Sequence, residues 1–129
     1  MKQGHVLAFD FGLKHIGVAV GQSVTRTASP LITIAARDGT PDWSDVERLI
    51  TEWQPAVLLV GLPLNMDDSE SEMSLKARGF AERMGRRFGV PIELVDERLT
   101  SFAARESGSD RPHEAAATMI AESWLAADG

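Results

Sequence analysis

The sequence predicts an α/β domain built on a mixed five-stranded sheet with helices on both faces. Three observations predict it. Apolar runs of strand length come first in succession and then alternate with segments of helical periodicity. Val57-Leu58-Leu59-Val60 is a continuous apolar run, the pattern of a parallel strand buried on both faces. A chain of 129 residues suits one domain with one core, so residues 1–129 are read as a single unit.

The elements follow in order. His5-Val6-Leu7-Ala8-Phe9-Asp10 and Ile16-Gly17-Val18-Ala19-Val20-Gly21 flank the turn Gly12-Leu13-Lys14-His15 and read as a β-hairpin. Leu31-Ile32-Thr33-Ile34-Ala35, preceded by Pro30, reads as a third strand, and Asp38-Gly39-Thr40-Pro41 breaks the pattern. Ser44 and Glu47 have capping-box spacing, and Trp43, Val46, Leu49, Ile50 and Trp53 recur at helical intervals up to Pro55. After the strand at Val57 and the loop Gly61–Asp67, a second helix is expected from about Ser69, with Gly89 as its C-cap. Pro91-Ile92-Glu93-Leu94-Val95 is the fifth strand and leads into Asp96-Glu97-Arg98. A short helix is expected after Thr100. The last helix begins near Pro112, with Ala116, Met119, Ile120, Trp124 and Ala127 expected to face inward.

Composition narrows the function classes. No apolar run approaches the ~20 residues that cross a membrane, and the N-terminus carries one Lys followed by a strand, so a cytoplasmic protein is expected. With no cysteine, a disulfide scaffold and a thiolate metal site are excluded. The net charge of −6 argues against a general nucleic-acid binder, yet Lys76, Arg78, Arg83, Arg86 and Arg87 fall within twelve positions. They form either a local basic rim or a solvated helix face.

Asp10 stands where a buried strand would otherwise carry another apolar residue. A buried carboxylate needs a metal, a base or a hydrogen-bond network; the alternative is a turn-capping role. Asp10 and Glu97 both fall at or just past strand ends, where α/β sheets gather their ligands. Carboxylates so placed can hold Mg²⁺ or Mn²⁺, which prefer oxygen donors. Two ions ~3.5–4 Å apart can activate water for phosphodiester hydrolysis. An ion pair between Glu97 and Arg98 is the other reading of that end.

Asp10-Phe11-Gly12-x-x-x-Ile16-Gly17-Val18-Ala19, Val60-Gly61-Leu62-Pro63-Leu64-Asn65-Met66-Asp67 and Asp96-Glu97-Arg98-Leu99-Thr100 occur in that order, before a closing Ala-rich helix. Together they resemble the YqgF family, also called RuvX, nearly end to end. The resemblance implies an RNase H-like fold and a metal-dependent endonuclease that matures the 5′ end of pre-16S rRNA, with the ribosomal subunit as a partner. It also implies similarity to Holliday-junction resolvases, which makes branched DNA the alternative substrate. A non-catalytic RNA-binding assembly factor is the third reading. By motif, Asp10 becomes the principal metal ligand and Glu97 the second, while Asp96 orients neighbouring groups. Lys14, Asn65 and Arg98 become the expected nucleic-acid contacts.

One departure bears on mechanism. His113 stands where the family carries an Asp at the start of the last helix, with Glu114 next, and the segment from Arg105 to Pro112 is short. Neutral His suits Mn²⁺ better than Mg²⁺. Glu114 is the substitute ligand, although one residue along a helix turns a side chain by ~100°. Asp10, Glu97, His113 and Glu114 are therefore the candidate ligand set, with Asp10, Glu97 and His113 catalytic. The Asp10-Phe11-Gly12 hairpin also resembles the first phosphate loop of actin-like ATPases, but the chain is too short for their two lobes.

Overall fold

The computed structural model describes residues 4–67, 69–96 and 112–128. Six strands and three helices are seen among them: β1 (His5–Asp10), β2 (His15–Gln22), β3 (Thr27–Arg37), β4 (Thr40–Pro41), α1 (Trp43–Trp53), β5 (Val57–Leu62), α2 (Glu72–Phe88), β6 (Ile92–Asp96) and α3 (Pro112–Asp128). The strand order is β4-β3-β2-β1-β5-β6. β1 pairs antiparallel with β2 and parallel with β5, and β5 pairs parallel with β6. The carboxyl ends of β1, β5 and β6 therefore share one edge.

The sixth strand corrects the expected count. Asp38 and Gly39 both take positive φ, 54° and 86°. Two such residues make a tight turn whose twist matches a hairpin, so the chain folds back and pairs Arg37 with Thr40 and Ala36 with Pro41. The third strand is also longer than expected and includes Pro30. Proline has no N–H for the ladder, and it is accommodated beside a register shift at Val18/Ala19 on the neighbouring strand.

Alternation along β1 divides the core in two. Leu7 and Phe9 point to the face covered by α1 and α2, where they pack with Val46, Leu49, Phe80 and Met84. Val6 and Ala8 point to the opposite face, against Ile120 and Ala121 of α3. All six residues of β5 are buried, as the continuous apolar run requires. Phe80 contacts the rings of Phe9, Phe11 and Trp43 at centroid distances of 5.9, 5.4 and 5.8 Å. Each such pair adds ~0.5–1.5 kcal/mol beyond burial.

The helix starts differ from the expected ones because cap chemistry, not spacing alone, sets them. α1 is capped by Asp42, whose Oδ1 accepts from the Ser44 amide at 3.0 Å; Ser44 lies inside the first turn. Its C-cap, Gln54, is left-handed at φ 45°. α2 starts after Ser71 rather than Ser69. The Ser71 hydroxyl accepts from the Ser74 amide at 2.9 Å and donates to the Pro63 carbonyl at 2.7 Å. Ser71→Ala removes both bonds, so a loss of about 1–2 kcal/mol is expected in a urea titration. On α3, Ala116, Ala117, Ile120, Ala121 and Leu125 are buried, whereas Ala127 is exposed. The short helix expected after Thr100 lies outside the described residues.

Candidate functional site

The site is built around the end of β1. Asp10 is half-buried and pairs with Gly17 of β2, which pairs in turn with Thr33 of β3. Strand parity places Asp10 with Val6 and Ala8, facing α3. Gly17 is the position that lets α3 come down beside it. A Cβ there would collide with the His113 carbonyl and stand 3.0 Å from the Glu114 amide. Further along the same stripe of β2, a Cβ on Gly21 would stand 3.2 Å from the Leu125 side chain. Two glycines on one face of β2 thus bring the first turn of α3 next to Asp10.

That first turn carries His113 and Glu114. The His113 ring stacks on His15, at the start of β2, with centroids 5.0 Å apart and planes inclined by 24°. Glu114 is only 7% exposed. Its Oε2 accepts from the Thr33 hydroxyl at 3.0 Å. The bond to Thr33 ties α3 to β3, on the far side of β2 from Asp10.

The other expected residues fall as follows. Asp96 ends β6 and is exposed. By parity it lies with Ile92 and Leu94 on the α2 face, opposite to Asp10, and β5 separates the two strands by a total of ~10 Å. Lys14 is exposed in the β1–β2 turn. Asn65 is exposed in the β5–α2 loop at the same sheet edge, and its Nδ2 donates to the Ser69 hydroxyl at 3.0 Å. Glu97 and Arg98 lie outside the described residues. Among the described residues, no three His, Asp or Glu side chains are grouped to hold an ion.

The β5–α2 loop is held from its far end by charge. Arg78 Nε and Nη2 donate to the two carboxylate oxygens of Glu70 at 2.8 and 3.1 Å, and Ser74 Oγ donates to Glu70 Oε1 at 3.1 Å. The Arg78 guanidinium holds the Glu70 carboxyl below its ordinary value, with the Ser74 bond adding to the effect. A lowered carboxyl pKa means the contribution is complete above the ordinary glutamate value of ~4.3 and disappears as pH falls through the lower, folded one. The Arg78 Nε–H shift, which reports directly on Glu70, should therefore stay constant from pH 7 to 5 and move only in stronger acid. In Glu70→Gln that acid transition should vanish, as NMR titration would show.

His15 and Gly17 were not singled out by sequence reasoning. For Gly17 the signal was present: an isolated glycine inside a strand pattern marks close backbone approach.

A mixed sheet with parallel β1, β5 and β6, helices on both faces and an acid ending the central strand defines a domain of the RNase H-like class. Solved structures share this fold. Thermus thermophilus RuvC in complex with a Holliday junction substrate matches with a TM-score of 0.63 at 18% identity, over 97% of this chain and 96% of that one. The fowlpox virus resolvase, in complex with Holliday junction DNA, matches at 0.59 and 12% identity, over 95% and 97%. Within that class, the model of the RuvX family, described as Holliday junction resolvase, matches residues 4–127, and the chain belongs to this family. A relative from Escherichia coli K12 is 52% identical over 95% of this chain and 96% of its own length. One from Pectobacterium carotovorum is 49% identical over 98% and 99%. Both bear the name "Putative pre-16S rRNA nuclease".

Proposed function

We propose that this protein is a metal-dependent phosphodiester endonuclease that processes the 5′ end of pre-16S rRNA in the cytoplasm, in step with assembly of the ribosomal subunit. The observation that carries the reading is Asp10: a half-buried carboxylate at the carboxyl end of the central strand, beside the first turn of α3. The names of full-length relatives near 50% identity support the choice of substrate.

The donor chemistry fits Mg²⁺ or Mn²⁺. Asp10 and Glu97 would hold the ion, and bound there it would lower the pKa of a water and neutralise charge on the phosphate. The third place would be taken by His113, which favours Mn²⁺ over Mg²⁺, or by the Glu114 oxygen that Thr33 does not engage. The bond between Thr33 and Glu114 also fixes the first turn of α3, and so the height of His113 over β2. Lys14, Asn65 and Arg98 would meet phosphate or sugar groups at the rim. The test is cleavage of a pre-16S 5′ transcript with Mn²⁺, Mg²⁺ or EDTA, with the product ends mapped. Metal-dependent cuts near the mature end support the reading. Efficient cutting of a four-way DNA junction instead would move it to a resolvase, and RNA binding without any cut would move it to an assembly factor.

A further inference from the structure

α2 carries five basic side chains, Lys76, Arg78, Arg83, Arg86 and Arg87, against Glu72 and Glu82, in a chain whose net charge is −6. Positive charge is therefore concentrated on one helix, and its contacts show where it leads. The Lys14 carbonyl, in the turn beside Asp10, accepts from the Ala36 amide at 2.9 Å. The next residue, Arg37, pairs with Thr40. The Thr40 hydroxyl accepts from Arg83 Nη1 at 3.2 Å. Arg83 and Arg87, one turn apart on α2, stand over the Trp43 ring at 5.9 and 4.6 Å. Lys14, Arg37, Arg86 and Arg87 are all exposed.

Among the described residues, these cations serve no ion pair of the fold. Among the described residues, the ion pairs are Arg48–Asp45 and Arg78–Glu70, and Lys14, Arg37, Arg83, Arg86 and Arg87 take part in neither. Trp43 is stacked on Phe80 and packed against the core, so it holds the Arg83 and Arg87 guanidinium groups in place while leaving N–H donors for an outside acceptor. Arg83 and Arg87, oriented by Trp43 and flanked by the exposed Arg37 and Arg86, offer the chemistry that recognises successive phosphates.

We propose that the strip from Lys14 through Arg37 and Arg83 to Arg86 and Arg87 is a docking track for the phosphodiester backbone of RNA flanking the cut. This rests on the nuclease reading for its occupant, and RNA is chosen over DNA because the near-full-length relatives are named for an rRNA substrate. The track reads backbone charge and shape and holds a flank, leaving the scissile phosphate to the Asp10 edge.

Binding of a fluorescein-labelled RNA hairpin is measured by anisotropy in EDTA, across a KCl series, for wild type and Arg37→Gln/Arg86→Gln/Arg87→Gln. The variant is expected to bind about tenfold or more weakly at 0.1 M salt and to lose roughly two to three from the slope of log K against log salt. Arg37→Lys/Arg86→Lys/Arg87→Lys should restore most of the slope. If the triple Gln variant does not fold, the single variants Arg37→Gln and Arg86→Gln should each lose about one. Unchanged affinity and slope in folded variants would overturn the track without touching cleavage at Asp10. Conversely, a protein that never cuts but shows the slope loss keeps the track and loses the nuclease reading. A DNA duplex bound as tightly as the hairpin, with the same slope loss, would assign the strip to DNA and overturn the choice of RNA.

Discussion

Asp10→Asn is expected to lower metal-dependent cleavage by on the order of 10³-fold, about 4 kcal/mol of transition-state stabilisation, with the fold intact. The substitution keeps the shape of the side chain and removes its charge. In the nuclease reading that charge attracts the ion and balances it; no other described carboxylate ends a strand on the face that α3 covers. Asn matches Asp in size and shape, so the variant is expected to melt as a folded protein. Single-turnover cleavage of a pre-16S transcript, paired with a thermal melt, checks both halves. Cleavage by the variant at the wild-type rate would remove Asp10 from the site.

Gly17→Ala is expected to destabilise the protein by about 3 kcal/mol and to depress cleavage even at temperatures where the variant is folded. The added methyl would meet main-chain atoms of His113 and Glu114, which cannot rotate away as a side chain can. Relief requires the first turn of α3 to lift off β2. That movement would carry His113 away from His15 and Asp10, and would lengthen the 3.0 Å bond from Thr33 to Glu114. Gly79→Ala is the control: outside the local helix backbone, no atom lies within 4 Å of a Cβ built there, so a gain of up to ~1 kcal/mol is expected. Urea unfolding of the two variants, alongside the cleavage assay, separates the outcomes. Equal stability of Gly17→Ala and wild type would mean that α3 is not held by contact with β2.

Much of the fold was legible in the sequence because its signals are local. The unbroken apolar run at Val57 and the helical stripe of α2 report burial directly, since each side chain's environment repeats with the period of its own element. The errors have local causes as well. Asp38-Gly39 reads as an interruption when only hydrophobic pattern is followed, yet the same dipeptide closes a hairpin and supplies the sixth strand. Ser44 and Ser69 look like caps, but Asp42 and Ser71 have the geometry to reach the orphan amides. Spacing proposes a cap; the hydrogen bond selects it.

The candidate site was legible in a different way. The motifs around Asp10, Asn65 and Asp96-Glu97-Arg98 placed the chain in its family, and family membership was upheld. What each residue does in three dimensions was not contained in the motifs. Asp96 is the neighbour of Glu97 in the chain, but strand parity places it on the face opposite to Asp10. Glu114 reads as a spare carboxylate beside His113, whereas in the fold it is buried and bound by Thr33, 81 residues away in sequence.

The sequence by itself determined the α/β class, the two-faced core and the position of one acid at the end of a central strand. These follow from periodicity and from the cost of burying charge, which act within a few residues of each position. Only the tertiary structure decided that α3 approaches β2 through Gly17, and that Arg83 of α2 reaches Thr40, the cross-strand partner of Arg37. Such relations join elements distant in the chain. They depend on packing distances between whole elements, so a glycine or an arginine reveals its role only when the partner across the gap is in place.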